Sequence, residues 1–407
     1  MSNEDLTIET LKASPENWPV ADHIMKMGMS IIREILKISS RPGVISLAGG
    51  YPSADMFPLE DLRKASQAAI DEFQSASMQY SLSMGIPQLR KAVAKRETAL
   101  GSPTTMENIL ITSGSQQGIE ICGRAFINPG DYIITEYPTY VGALQAFNLY
   151  QARYAGIEMD SDGMMVDKVE AAIKKYHPKM IYTVSTFQNP TGITMSEERK
   201  RALIDVAVKY GVPIVDDNPY GEIRFAGEHI PTMKDIGGEA VISLGTFSKI
   251  IAPGLRVAWM NASEKIITTF EKIKQCVDLH ANTFTQYIVY EYMKTGKLGP
   301  HIKELVKVYG EKRNHMLKEM DANFPKELKW TRPQGGLFLW GELPKTMSAS
   351  KLIDKAVEEK VTYVYGHPFF PDGKGDNTFR LNFSMATPEQ ISQAIRGLGK
   401  VFKENLA

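Results

Sequence analysis

The sequence predicts an α/β fold: a large unit with a mostly parallel central sheet flanked by helices, beside a smaller α+β unit. Three observations carry this. Through the middle of the chain, short apolar runs rich in β-branched residues alternate with longer amphipathic stretches, the pattern of a parallel sheet with crossover helices. The C-terminal part changes character, to short strand-like runs with helical stretches between them. And 407 residues are enough for two domains, or for one large domain and a companion.

Taken in order, NILIT at 108–112 precedes the helical SGSQQGIEICGRAF, and YIITE at 132–136 precedes YPTYVGALQAF. MIYTVSTF at 180–187 leads into the turn QNPTG, and VPIVDD (212–217), AVISLG (240–245) and LRVAWM (255–260) complete the predicted large sheet. From about Lys265 one long helical pattern runs past Tyr287, and IKELVKVYGEKRNHMLKEM repeats it after Gly299-Pro300. GGLFLWGEL (335–343), VTYVYG (361–366) and TFRLNFS (378–384) predict the small sheet. The implied division is an N-terminal arm and helix over 1–57, a large domain over 58–298 and a small domain over 299–407. The sequence contains no internal repeat, low-complexity tract or Gly/Ser linker.

Composition removes several classes of function. Lys plus Arg and Asp plus Glu both total 47, so charge offers no argument for a nucleic-acid or polyanion partner. The two cysteines, Cys122 and Cys276, suit neither a disulfide framework nor C-x-x-C metal or redox chemistry. The N-terminus lacks the basic-then-apolar pattern of a signal peptide, and no stretch reaches membrane-spanning length, so a cytoplasmic, metabolite-handling protein is expected.

The chemistry is concentrated where the predicted strands end, and open α/β sheets bind ligands outside the carboxyl ends of their strands. The runs lead to Ser115 with Gln116, to Tyr140, to Asn189, to Asp217 with Tyr220, and to Lys249. TSGSQQGIE opens a helix whose N-terminal amides, with the Ser115 hydroxyl, suit a phosphate. It is neither the G-x-x-x-x-G-K-[ST] nor the G-x-G-x-x-G pattern, so the phosphate of some other cofactor is a better object than a nucleotide. GTFSKIIAPGLRVAW adds Thr246, Ser248 and Arg256 as further donors. In DDNPYGEIRF, Asp217 could hold a proton on a heteroaromatic nitrogen, while Asn189 and Tyr220 could donate to a phenolate-like oxygen.

Together SGSQQ, YPTY, NPTG, DDNPY, SLGTFSK and APGLRV resemble, in order and over nearly the whole chain, the fold-type I pyridoxal-phosphate (PLP) aminotransferases of class I/II. SIIREILKISSRPGVISLAGGYPSADMFP at 30–58 is most similar to the α-aminoadipate, kynurenine and aromatic aminotransferase branch. The resemblance implies that Lys249 bonds covalently to PLP and moves the substrate α-proton, that Asp217 pairs with the pyridine nitrogen, and that Asn189 and Tyr220 contact the ring hydroxyl. Tyr140 would stack on the ring. Ser115, Gln116, Thr246, Ser248 and Arg256 would hold the phosphate, with Tyr80 reaching it from a second subunit of a homodimer. Arg380 would grip the substrate α-carboxylate, a task that suits a planar two-pronged donor. The Gly49-Gly50 turn would lie against the substrate, and Arg33 would approach acidic side chains. Tyr51 stands where relatives commonly carry leucine, which implies a different pocket wall. The reaction implied is ping-pong transfer from an amino acid to a 2-oxo acid such as 2-oxoglutarate. A PLP-dependent lyase or decarboxylase would need the same cofactor groups, whereas a sensor fused to a helix-turn-helix would need more chain than precedes Ser30.

Overall fold

The computed structural model describes residues 18–25 and 42–406. Its strands are β1 (Ile45–Ser46), β2 (Ile109–Thr112), β3 (Tyr132–Tyr137), β4 (Arg153–Asp160), β5 (Gly163–Met164), β6 (Ile181–Thr183) and β7 (Ile214–Asp217), followed by β8 (Val241–Thr246), β9 (Ala258–Asn261), β10 (Lys329–Trp330), β11 (Phe338–Glu342), β12 (Val361–Thr362), β13 (Val364–Tyr365) and β14 (Thr378–Asn382). Eight of them form one sheet in the order β2-β9-β8-β7-β6-β3-β4-β5. The stretch from β8 to β4 is parallel throughout, and the antiparallel pairs lie at the two ends.

That topology fixes where function can sit. Because β9 runs antiparallel to both neighbours, β2 points the same way as β8, and Thr112, Ala258 and Thr246 line up across the three strands. The loops after β2, β3, β6, β7 and β8 therefore all leave the sheet at one edge, and the segment entering β9 starts there. Every residue of β2, β6, β7, β8 and β9 is buried, as expected for strands covered on both faces.

Sequence and structure part company in a few places. β4 and β5 fall outside the predicted runs: β4 alternates exposed and buried residues and carries Arg153, Glu158 and Asp160, so no apolar run marks it. The run at 255–260 starts as strand only at Ala258, since Pro253–Leu255 forms a 3-10 turn and Arg256 takes a left-handed conformation at φ 52°. The long helical pattern after Lys265 is two helices, Glu264–Val277 and Thr283–Lys294. Leu279 at φ 62° breaks it, and the Asn282 side chain caps the second helix by accepting from the Thr285 amide. Helix Leu298–Asn323 starts ahead of Gly299-Pro300, which places the proline in the first turn, where its missing N–H costs nothing.

A second sheet, antiparallel in the order β10-β11-β14-β13, comes from the C-terminal part of the chain. The run at 361–366 is divided: β13 joins this sheet, while β12 pairs in parallel with β1 from the other end of the chain. Leu47 N–H donates to the Thr362 carbonyl and Asn382 N–H to the Leu47 carbonyl, so residues 45–48 are laced onto the C-terminal strands. One continuous apolar core runs from Leu47 to Phe402 and includes residues of both sheets.

Candidate active site

At the carboxyl edge of the large sheet lies a cavity of about 510 Å³, within the range usual for small-molecule sites. Ser115, Gln116, Tyr140, Asn189, Asp217, Tyr220, Thr246, Ser248, Lys249, Arg256, Arg380 and Gly50 all line it. Gly49 is buried immediately before Gly50. Tyr80 lies apart from this wall, 79% exposed, with its ring edge-on to His280 at 5.7 Å. Arg33 lies outside the described residues.

One end of the cavity is built for an anion. Gly114, at φ 92°, delivers the chain from β2 into helix Ser115–Phe126. Only glycine fits there, since a Cβ would sit 2.0 Å from Arg256 Nη2. Arg256 reaches this point because its own left-handed turn aims it back across β9, where Nη2 donates to the Ser113 carbonyl at 3.1 Å. Thr246 Oγ1 donates to Ser248 Oγ at 2.9 Å and accepts from the Ser248 amide at 3.1 Å. Gln116 Nε2 donates to the Gly142 carbonyl at 2.7 Å. The buried Ser115 Oγ has no partner among the described residues, at the positive end of its helix.

Asp217 closes β7 at 3% exposure, and burial pushes its carboxyl up to about 7, against the bond it accepts from Tyr182. The fully buried Tyr182 donates to Oδ2 at 2.9 Å, which leaves Oδ1 buried and without a partner among the described residues. Across the cavity, Lys249 Nζ donates to the Gly50 carbonyl at 2.8 Å. Burial holds its amine down at about 8, with Arg380 and Arg256 adding and Asp217 opposing. Burial also raises the Tyr140 phenol to about 12 and that of Tyr220 further.

Arg380, on β14 and 2% exposed, is clamped by aromatic rings, with its guanidinium 4.2 Å from the centre of Phe338 and 5.1 Å from that of Phe369. It donates to Asn189 Oδ1 at 2.8 Å and to the Ala48 carbonyl at 2.7 Å, and Nε has no partner among the described residues. Among the described residues no carboxylate lies within ion-pair distance of it, and burial alone lowers it to about 10. A buried cation without a counter-ion is costly, and a ligand carboxylate relieves that cost.

Two groups at the site escaped the reading of the sequence. Tyr182 looks there like one more strand residue, although a tyrosine inside an apolar strand needs a partner for its hydroxyl. Glu136, fully buried at the end of β3, accepts from Thr183 Oγ1, the Val184 amide and Gln188 Nε2. Gln188 Nε2 also donates to the Pro138 carbonyl, so this carboxylate ties the turn before Tyr140 to the loop that carries Asn189.

These residues fit PLP: an anion seat at one end, an orphaned carboxylate oxygen for a protonated ring nitrogen, and an amine opposite. The profile of the family "Aminotransferase class I and II" matches residues 42–398, and the chain belongs to that family. It is a PLP-dependent aminotransferase of fold type I, acting on amino acids. The chain is 40% identical over 393 residues to an aromatic-amino-acid aminotransferase of Thermococcus litoralis, covering 95% of this chain and 94% of the relative. It superimposes on the Pyrococcus horikoshii kynurenine aminotransferase in complex with PMP, KYN and KYA at TM-score 0.93 and 37% identity, covering 98% and 100% of the two chains. The α-aminoadipate aminotransferase of Thermus thermophilus, complexed with N-(5'-phosphopyridoxyl)-L-leucine, matches at TM-score 0.88 and 34% identity over 94% and 97%. Nothing in these comparisons favours a lyase or decarboxylase.

Proposed function

We propose that this chain moves the amino group of 2-aminoadipate, glutamate, aromatic or kynurenine-like donors to a 2-oxo acid such as 2-oxoglutarate, as a cytoplasmic homodimer. The observation that carries the reading is Arg380, a buried cation without a carboxylate partner among the described residues, in the same cavity as an amine held near 8. Bound PLP supplies the electron sink for cleavage of bonds at the substrate α-carbon.

The chain's own groups do the rest. Arg380 takes the α-carboxylate and so fixes which substituent points at Lys249. Lys249 Nζ, half neutral near pH 8 rather than near the usual 10.5, is the nucleophile and then carries the α-proton. Asp217 Oδ1 receives the ring nitrogen. Because Asn189 Oδ1 is occupied by Arg380, its Nδ2 is the donor left for the ring oxygen, beside the Tyr220 hydroxyl. Ser115, Gln116, Thr246, Ser248 and Arg256 hold the phosphate, Tyr140 covers the ring and Gly49-Gly50 borders the substrate. One carboxylate clamp serves both the amino acid and the 2-oxo acid, so the two bind in turn and the kinetics are ping-pong.

Exposed Tyr80, with Met78 (63%) and Leu82 (57%) beside it, supports a dimer in which Tyr80 reaches the phosphate seat of a second copy. The division into 1–57, 58–298 and 299–407 belongs to the same reading, as does a role for Arg33 with acidic side chains. Lys249→Ala tests the centre of it. The variant is expected to lose the visible absorbance of bound PLP and nearly all turnover; retention of both refutes the assignment. A panel of donors with 2-oxoglutarate, with products identified, defines the range.

A further inference from the structure

Two hydrogen bonds, to the carbonyls of residues 48 and 50, order the groups that face this cavity. Arg380 Nη2 donates to the Ala48 carbonyl at 2.7 Å, and Lys249 Nζ donates to the Gly50 carbonyl at 2.8 Å. The side chains proposed to take the α-carboxylate and the α-amine are thus anchored to carbonyls two residues apart along one strip of chain, Ala48–Gly50. The next residue along it is Tyr51, which lines the cavity and is 47% exposed.

Tyr51 is held as a wall and not as a loose surface residue. Ser384 Oγ donates to its carbonyl at 2.7 Å, and the Ser384 carbonyl in turn accepts from Lys312 Nζ at 2.7 Å. The ring folds back over Gly49: a Cβ at that position would come 2.9 Å from Tyr51 Cδ2 and 3.4 Å from the sulfur of Met385. Met385 is itself 38% exposed, so ring and thioether form one apolar rim over the glycine. Among the described residues the phenol has neither a hydrogen-bond partner nor a ring contact. The cations that line the cavity, Lys249, Arg256 and Arg380, are already engaged by the amine, phosphate and α-carboxylate ends of the proposed complex.

We propose that Tyr51, seated on Gly49 beside Met385, is a specificity-determining residue that packs against the substrate side chain and favours aromatic donors over small ones. This rests on the transaminase reading above and narrows its substrate class. The ring face, not the hydroxyl, does the selecting, since stacked or edge-on aromatic pairs gain stability beyond the area they bury.

The test compares kcat/KM for phenylalanine and alanine, with 2-oxoglutarate as acceptor, in wild type, Tyr51→Phe and Tyr51→Ala. The visible absorbance of bound PLP is recorded in each to confirm an intact holoenzyme. Tyr51→Ala is expected to lower the phenylalanine-to-alanine ratio about ten-fold, the loss of one aromatic contact. Tyr51→Phe is expected to keep the ratio within about two-fold of wild type, since it retains the ring. An unchanged ratio in an absorbing Tyr51→Ala enzyme, or an equal fall in Tyr51→Phe, overturns the inference and leaves the transaminase reading standing. Should Tyr51→Ala fail to hold PLP, the ratio in Tyr51→Leu decides in its place. A wild type that transfers the amino group of glutamate or 2-aminoadipate but not of phenylalanine overturns this inference alone; one that transfers the amino group of none of the four donors overturns the proposed donor range as well.

Discussion

Tyr182→Phe isolates one hydrogen bond at the base of the site. The phenol donates to Asp217 Oδ2 at 2.9 Å, both groups are buried, and the ring is held edge-on by Phe147 at 5.5 Å, so the variant removes a hydroxyl and little else. A hydrogen bond to an ionised group contributes roughly 1.5–3 kcal/mol, and one pKa unit corresponds to about 1.4 kcal/mol. Asp217, already raised to about 7 by burial, therefore climbs further, by about 1–2 units. The protonated carboxyl is no counter-ion for a pyridinium, so binding must first remove that proton. PLP affinity is thus expected to fall roughly 10- to 100-fold at or below neutral pH, the full difference in pKa. The deficit shrinks as pH rises past about 7 and is gone above the variant's own pKa, where both proteins are ionised before binding. The assay is reconstitution of PLP-free protein, with Kd read from absorbance across a pH series for both proteins. A ratio of dissociation constants that does not change with pH, or that stays within about two-fold below neutrality, refutes the reasoning.

Two further perturbations probe other parts of the frame. Gly114→Ala forces a side chain into a conformation essentially reserved for glycine, at a strain of about 1–3 kcal/mol, and its Cβ displaces the Arg256 guanidinium; a lower thermal midpoint and PLP binding weakened at least about ten-fold are expected by calorimetry and reconstitution. Glu136 is raised to about 7 by burial, so the folded state keeps a proton that the unfolded chain releases; its contribution to stability is full below the ordinary carboxylate range and is lost as pH rises through about 7. In Glu136→Gln, one amide N–H must face Gln188 Nε2, so the midpoint at pH 5 falls. Its decline between pH 5 and pH 8 is nevertheless shallower than in wild type, by up to about 3 kcal/mol in unfolding free energy, as thermal melts across that range would show.

Much of the site is legible in the sequence because the sheet's topology converts order along the chain into proximity. Residues as far apart as Ser115 and Lys249 follow strands that end at one edge, so a polar group after each apolar run is enough to find them. Where that rule lapses, so does the reading. β4 carries polar residues on its exposed alternate positions and leaves no apolar run, and the break at Leu279 is a single left-handed residue inside an otherwise helical pattern. Tyr182 and Glu136 sit within strands, and their importance comes from neighbours across the sheet, Asp217 and Gln188, which no local pattern reports. The reach of Arg380 to Ala48 likewise depends on a pairing between the two ends of the chain.

That pairing sets an order of events during synthesis. Residues 109–261 supply the whole eight-stranded sheet, and with it the proposed seats for phosphate and ring nitrogen, while β1 waits for a partner that leaves the ribosome only at Val361 and for Arg380 later still. Contacts over so long a separation form late, since loop closure precedes any gain from the contact. A nascent chain can therefore present a cofactor seat before it owns a substrate clamp. A message truncated ahead of residue 380 would encode a PLP seat without the arginine that orients the amino acid above it.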